Sequence, residues 1–167
     1  PWLLTVAMMR PGYKMQSYEV LGRALETLVD TPWKLLVAGA GPTEADVRRA
    51  LSGCGERVVW LGERDRNDVP ALYAASDACI WPAVRETPGM CFLEAQATGI
   101  PVVGGRAGSV PSVIEDGVTG YLTEAGNVED FAAAVSRLIH DGELRRSMGE
   151  SAANRIAERH TVAAAHG

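Results

Sequence analysis

The sequence predicts an α/β domain, a Rossmann-like doubly wound parallel sheet of about six strands with helices on both faces. Three observations point there. Short apolar runs recur along the chain and are near-continuous rather than alternating, as strands buried on both faces require. Helical stretches alternate with them. No repeat of roughly 20–50 residues and no low-complexity tract interrupts the alternation.

In chain order the strands are "WLLTVAM" (2–8), "WKLLVAG" (33–39), "RVVWLG" (57–62), "ACIWP" (78–82), "PVVGG" (101–105) and "GYLTE" (120–124). Helices are expected over 15–30, 43–53, 68–76, 88–98 and 109–115, then over 127–140, 141–149 and 150–160. The 167 residues suffice for one domain with a real core. In such folds ligands lie outside the carboxyl ends of the strands, near the point where strand order reverses. The loops after the first four strands are therefore the ones to search.

Composition narrows the function classes. Apolar residues make up 47% and charged residues 22%, ordinary for a soluble globular chain. A net charge of -5 and a pI near 5.2 argue against a general nucleic-acid or bilayer-surface binder, so phosphate binding needs a local site. Cys54, Cys79 and Cys91 are odd in number and lack metal-type spacing, which reads as reduced thiols in a cytosolic protein. No stretch approaches the roughly 18 apolar residues of a membrane span, and no signal-peptide pattern opens the chain. Beginning directly on a strand, the chain reads as a fragment of a longer protein.

The helix after the fourth strand carries the densest signal. Thr87 suits the N-cap, Pro88 the first helical position, and Gly99 with Pro101 the stop. The amides of Gly89, Met90 and Cys91 then lack internal partners and, with the helix dipole, form an anion site. Gly89 lets a phosphate approach the backbone. Glu94 lies four residues beyond Met90, on the same face and one turn deeper. A carboxylate there repels a bare phosphate but accepts two hydrogen bonds from a vicinal diol, such as a ribose. Glu86, before the helix, suits a second pair of hydroxyls. The plainer alternative makes both glutamates surface carboxylates, one of them favouring the dipole.

After the first strand, "MMRPGYK" places Arg10 and Lys14 four residues apart around a turn shaped by Pro11 and Gly12. Lys14 opens the next helix, where the dipole disfavours a cation. A bound diphosphate would offset that conflict; solvated loop charges are the alternative. "LLVAGAGPTEAD" offers Gly39 and Gly41 as G-x-G, but Glu44 stands where a dinucleotide motif needs its third glycine. A nicotinamide site is therefore rejected. "LGERDRND" could hold a base edge by backbone groups near Arg64, or be an exposed charged loop. "GGRAGSVPSVIEDG" (104–117) could bring amides beside a sugar nucleotide, or be a tightly packed βα connection. His140, His160 and His166 read as solvent-facing, and the C-terminal helices as amphipathic covers.

These segments together resemble the C-terminal, donor-binding half of a retaining glycosyltransferase of family 4 (group 1) with the GT-B architecture. The resemblance runs through "MMRPGYK", "VAGAGP", "VVWLG", "LYAASDACIWPAV", the E-x7-E stretch "ETPGMCFLEAQATGIPVV" and "GSVPSVIEDGVTGYLTEAGNVEDFAAAV", nearly the whole chain. It implies that residues 1–167 are the nucleotide-sugar domain and that an N-terminal acceptor domain is absent. It implies that Arg10 and Lys14 hold the donor diphosphate in place of a metal, with no cofactor. It further implies that Glu86 contacts the transferred sugar, Glu94 the ribose, and the amides around Gly89, Met90 and Cys91 the sugar and distal phosphate. Gly12, Gly41 and Arg64 complete the candidate donor site. The chain departs from the family where Thr87 and Pro88 replace a small residue and an aromatic, and where Met15 rather than glycine follows Lys14.

The expected reaction transfers a hexose from a nucleotide diphosphate sugar to an acceptor hydroxyl with retention. The acceptor, whether saccharide, lipid-linked or small molecule, would be held by the absent half, as would any peripheral contact with the inner face of the membrane. No nucleic acid is expected as partner, and the location is cytoplasmic. The alternative is a non-catalytic nucleotide-sugar binding module derived from a transferase half. A nucleotide-sugar epimerase ranks below both, for want of internal acid/base carboxylates and histidines.

Overall fold

The computed structural model describes residues 1–85 and 89–166, so Glu86, Thr87 and Pro88 lie outside the described residues. Six strands form one sheet: β1 (Trp2–Val6), β2 (Lys34–Ala38), β3 (Val58–Gly62), β4 (Ala78–Trp81), β5 (Val102–Gly105) and β6 (Gly120–Thr123). Their order is β3-β2-β1-β4-β5-β6, and every neighbouring pair is parallel. Leu3 pairs with Leu35 on one side and Ala78 on the other, so β1 sits mid-sheet with β4 as its neighbour.

The helices are α1 (Tyr13–Glu26), α2 (Glu44–Ala50), α3 (Val69–Ala74), α4 (Met90–Thr98), α5 (Val110–Val113), α6 (Val128–His140) and α7 (Gly142–His166), with a 3-10 segment over Ser52–Arg57. Connections from β1 run outward to β2, and those from β4 run the opposite way to β5. Right-handed crossovers in opposite directions put their helices on opposite faces. Accordingly α1 packs with α2 and α6, and α4 packs with α3 and α7. Leu3, Leu4, Leu35, Val37, Ile80, Val102 and Val103 are fully buried between these layers. The doubly wound α/β fold is the one the sequence predicts.

Several boundaries differ from expectation. The two helices expected over 141–149 and 150–160 are one helix, α7, of 25 residues. Gly149 does not end it; a Cβ there would lie 2.1 Å from the Gly99 carbonyl oxygen, so the glycine lets α7 cross the end of α4 at close range. The helix expected over 109–115 is a single turn, because Ile114 is already extended at φ -111 and ψ 124. α1 begins at Tyr13, which places Lys14 in its first turn as expected.

Candidate functional site

The strand order reverses between β1 and β4, so the carboxyl ends of those two strands open the crevice. A cavity of about 630 Å³ occupies it, lined in part by Arg10, Lys14, Gly41, Arg64, Met90, Cys91 and Glu94. These are seven of the residues singled out in the sequence, drawn from four separate loops or helix starts.

The first wall is a pair of interlocked loops. Backbone hydrogen bonds extend the β1–β2 pairing past the strand ends: Ala7 N donates to the Ala38 carbonyl (3.1 Å), Met9 N to Ala40 (3.0 Å), and Thr43 N to Met9 (3.1 Å). A Cβ on Gly41 would meet the Met9 carbonyl oxygen at 2.2 Å. Both glycines of this G-x-G let two backbones touch, Gly39 against the Ala7 carbonyl and Gly41 against that of Met9. Gly41→Ala is expected to lower stability by about 1–3 kcal/mol, because a carbonyl in a bonded loop cannot yield as a side-chain tip can. Urea unfolding of the variant checks this.

Lys14 projects from the first turn of α1 with its ammonium 5.7 Å from the centre of the Trp81 ring. Trp81 ends β4, is 1% exposed, and meets the Tyr18 ring edge-to-face at 4.8 Å. The buried indole therefore carries a cation from the β1 side of the crevice across to the β4 side. Arg10 is exposed on the preceding loop. Gly12, at φ +85, makes the turn between them and does not line the cavity.

The opposite wall is α4. Its first described residues are Gly89, which caps the helix at φ -82 and ψ 55, and Met90, where the helix begins. The expected cap at Thr87 and first position at Pro88 lie outside the described residues, as does Glu86. The N–H groups of Met90 and Cys91, in the first turn, have no carbonyl four residues back inside the helix to bond. Gly89 borders the cavity without lining it. A Cβ there would lie 3.1 Å from Phe92 and 3.3 Å from Val113, so a larger residue would need those side chains to give by a few tenths of an ångström.

Glu94 lines the cavity one turn deeper, and the buried Tyr73 hydroxyl on α3 donates to its Oε2 at 3.1 Å. Burial above all, with Cys79, Cys91 and Glu94 adding to it, pushes the Tyr73 phenol far above its usual pKa. Its proton therefore stays in place. A hydrogen bond with the Cys91 thiol, and complete burial, raise the Cys79 thiol well above its ordinary range. All three cysteines are free.

A further link crosses the crevice mouth. Arg85 donates to the Tyr13 hydroxyl at 3.0 Å with its guanidinium 5.3 Å from that ring, and Val84 N donates to Ser17 Oγ at 3.0 Å. The loop leaving β4 is thereby tied to α1, the helix bearing Lys14. Sequence reasoning singled out none of Tyr73, Trp81 or Arg85.

Of the remaining expectations, the Gly-rich segment over 104–117 begins tightly packed and continues as a mostly exposed connection. Cβ atoms on Gly104 and Gly105 would strike Phe92 at 2.6 Å and the Pro82 carbonyl oxygen at 2.2 Å, and the segment does not line the cavity. His140 and His160 are exposed as expected, and the side chain of His166 lies outside the described ones. Among the described residues no group of three or more His, Cys, Asp or Glu could hold a metal ion. Among them, too, no helix is long and apolar enough to cross a membrane.

The arrangement suits a polyanion: the N-terminus of α4, Arg10 and Lys14 face one cavity, and a tethered carboxylate stands one turn further in. Comparison with known proteins agrees. The family model described as glycosyl transferases group 1 matches residues 1–141. The chain is 34% identical over 158 residues to N-acetyl-alpha-D-glucosaminyl L-malate synthase of Bacillus anthracis, covering 93% of this chain and 40% of that protein. Among solved structures, it resembles HepE of Anabaena in complex with UDP-glucose, at 26% identity and a TM-score of 0.81, over 95% of this chain and 44% of that one. The fold also matches the C-terminal domain of a group 1 glycosyltransferase, LpcC of Francisella tularensis, at 23% identity and a TM-score of 0.82, over 95% and 86% of the two chains. The chain thus spans less than half the length of the synthase. With the family model matched over residues 1–141 and a 34% identical relative over 93% of its length, the chain belongs to the group 1 glycosyltransferases of GT-B architecture.

Proposed function

We propose that this chain is the donor-binding half of a retaining hexosyltransferase, taking a nucleoside diphosphate sugar and acting with an N-terminal domain that holds the acceptor. The observation that carries the reading is the convergence of Arg10, Lys14, Met90, Cys91 and Glu94 on one cavity at the β1–β4 switch. In this scheme the diphosphate lies across the N-terminus of α4, its charge met by the Met90 and Cys91 amides, Arg10 and Lys14. Glu94 accepts from the ribose hydroxyls, backbone near Arg64 faces the base, and Glu86 holds the sugar. As the glycosidic bond breaks, negative charge grows on the departing phosphate oxygen, and the two cations and the amides stabilise it without a metal. The acceptor proton passes to that phosphate oxygen or to a group in the other domain. Uridine is the base to try first, since the similar HepE was solved with UDP-glucose. The reduced cysteines favour a cytoplasmic setting.

A binding-only module is the second reading, favoured by Thr87 and Pro88 where the family pattern has a small residue and an aromatic. Calorimetric titration of the full-length protein against UDP-, GDP- and ADP-sugars, followed by assay of donor turnover, separates the two. Saturable binding with transfer or donor hydrolysis is expected. Binding without turnover selects the module, and no binding to any donor contradicts both. The isolated 167 residues are expected to bind donor nucleotide weakly and transfer nothing, because half a cleft neither excludes water nor holds an acceptor. Turnover by the isolated domain contradicts that division of labour.

A further inference from the structure

Tyr73 reaches the wall of the candidate site and is hydrogen-bonded there to Glu94. Its ring is 1% exposed, packed inside the core, while its hydroxyl emerges at the cavity wall and donates to Glu94 Oε2 at 3.1 Å. Glu94 is itself exposed, on the face of α4 that borders both the main cavity and a neighbouring groove lined by Leu93, Ala97 and Val113. An exposed glutamate samples several rotamers, and this one can turn toward either the cavity or the groove. The Tyr73 hydroxyl draws the carboxylate toward the cavity and occupies one oxygen, leaving Oε1 and the remaining lone pairs of Oε2 for a ligand.

We infer that Tyr73 is a positioning residue for ribose recognition, fixing the Glu94 carboxylate in the rotamer that accepts both hydroxyls of the nucleotide's 2′,3′-diol. This rests on the assignment of Glu94 to the ribose. The two residues sit on different helices, α3 and α4, that pack together, so the carboxylate is held by the core rather than by its own helix. Burial holds the phenol's proton in place, so the hydroxyl is the donor and Glu94 Oε2 the acceptor in this bond. Binding then costs less side-chain ordering, which is the general gain from preorganisation.

The test measures Kd for UDP and for 2′,3′-dideoxy-UDP in the full-length wild type, Tyr73→Phe and Glu94→Ala. Tyr73→Phe keeps the buried ring, and Glu94, being exposed, rehydrates, so the variant is expected to fold; thermal melting monitors this. Expected is a loss of UDP affinity of about three- to tenfold in Tyr73→Phe with dideoxy-UDP affinity unchanged. Equal weakening for both nucleotides would mark a merely structural role and overturn the inference, as would no change for either. A preference for UDP that disappears in Glu94→Ala yet is undiminished in Tyr73→Phe overturns the inference alone. A wild type that binds both nucleotides alike, or a Glu94→Ala variant that keeps the preference, removes the ribose assignment and the inference with it.

Discussion

Replacing Lys14 with alanine is expected to lower kcat of the full-length transferase by about 10²–10³-fold, with a smaller change in donor KM. The reason lies in where the fold spends a cation. The first turn of a helix is the place where a positive side chain is least favoured, yet Lys14 stands there, above a buried indole. That arrangement gains most when a diphosphate is present, and more still as the diphosphate leaves and collects charge. An interaction that strengthens toward the transition state appears in kcat rather than in KM. Steady-state kinetics of Lys14→Ala check it. A change confined to KM would mean that Lys14 binds ground state and transition state alike.

The second large effect separates the two glutamates. Glu94→Ala is expected to weaken UDP binding by about 10–100-fold, the loss of hydrogen bonds to an ionised acceptor. Glu86→Ala should leave UDP affinity nearly unchanged and lower transfer, because its proposed partner is the sugar. Titration with free UDP, alongside transfer assays of both variants, distinguishes them. Equal loss of UDP affinity in the two variants contradicts the division of roles.

Much of this molecule was legible in its sequence because the relevant physics is local. All six strands were readable as apolar runs, and Gly99 as the end of α4, where it adopts φ +91. The strand order, which makes the crevice, follows from the doubly wound class rather than from any one segment. What escaped was tertiary. The expected helices divide the C-terminal segment at 149/150, yet α7 runs through, and Gly149 is where it meets the Gly99 carbonyl. Gly89 also packs close to Phe92 and Val113, a proximity no local pattern reveals. Tyr73 and Glu94 stand 21 residues apart on separate helices, and no periodicity links them. Trp81 reads as one more apolar strand residue until Lys14 is found above it. The seven cavity residues were found because each sits on a loop or helix start at a strand's carboxyl end, and that placement survives any error in helix length.

The central claim is that a diphosphate rests between Lys14, Arg10 and the first amides of α4. A crystal of the full-length protein soaked with UDP-glucose tests it most directly. The account predicts phosphate oxygens within hydrogen-bonding reach of the Met90 and Cys91 amides and of the Lys14 ammonium. A diphosphate bound anywhere else, with these groups left to solvent, would contradict it.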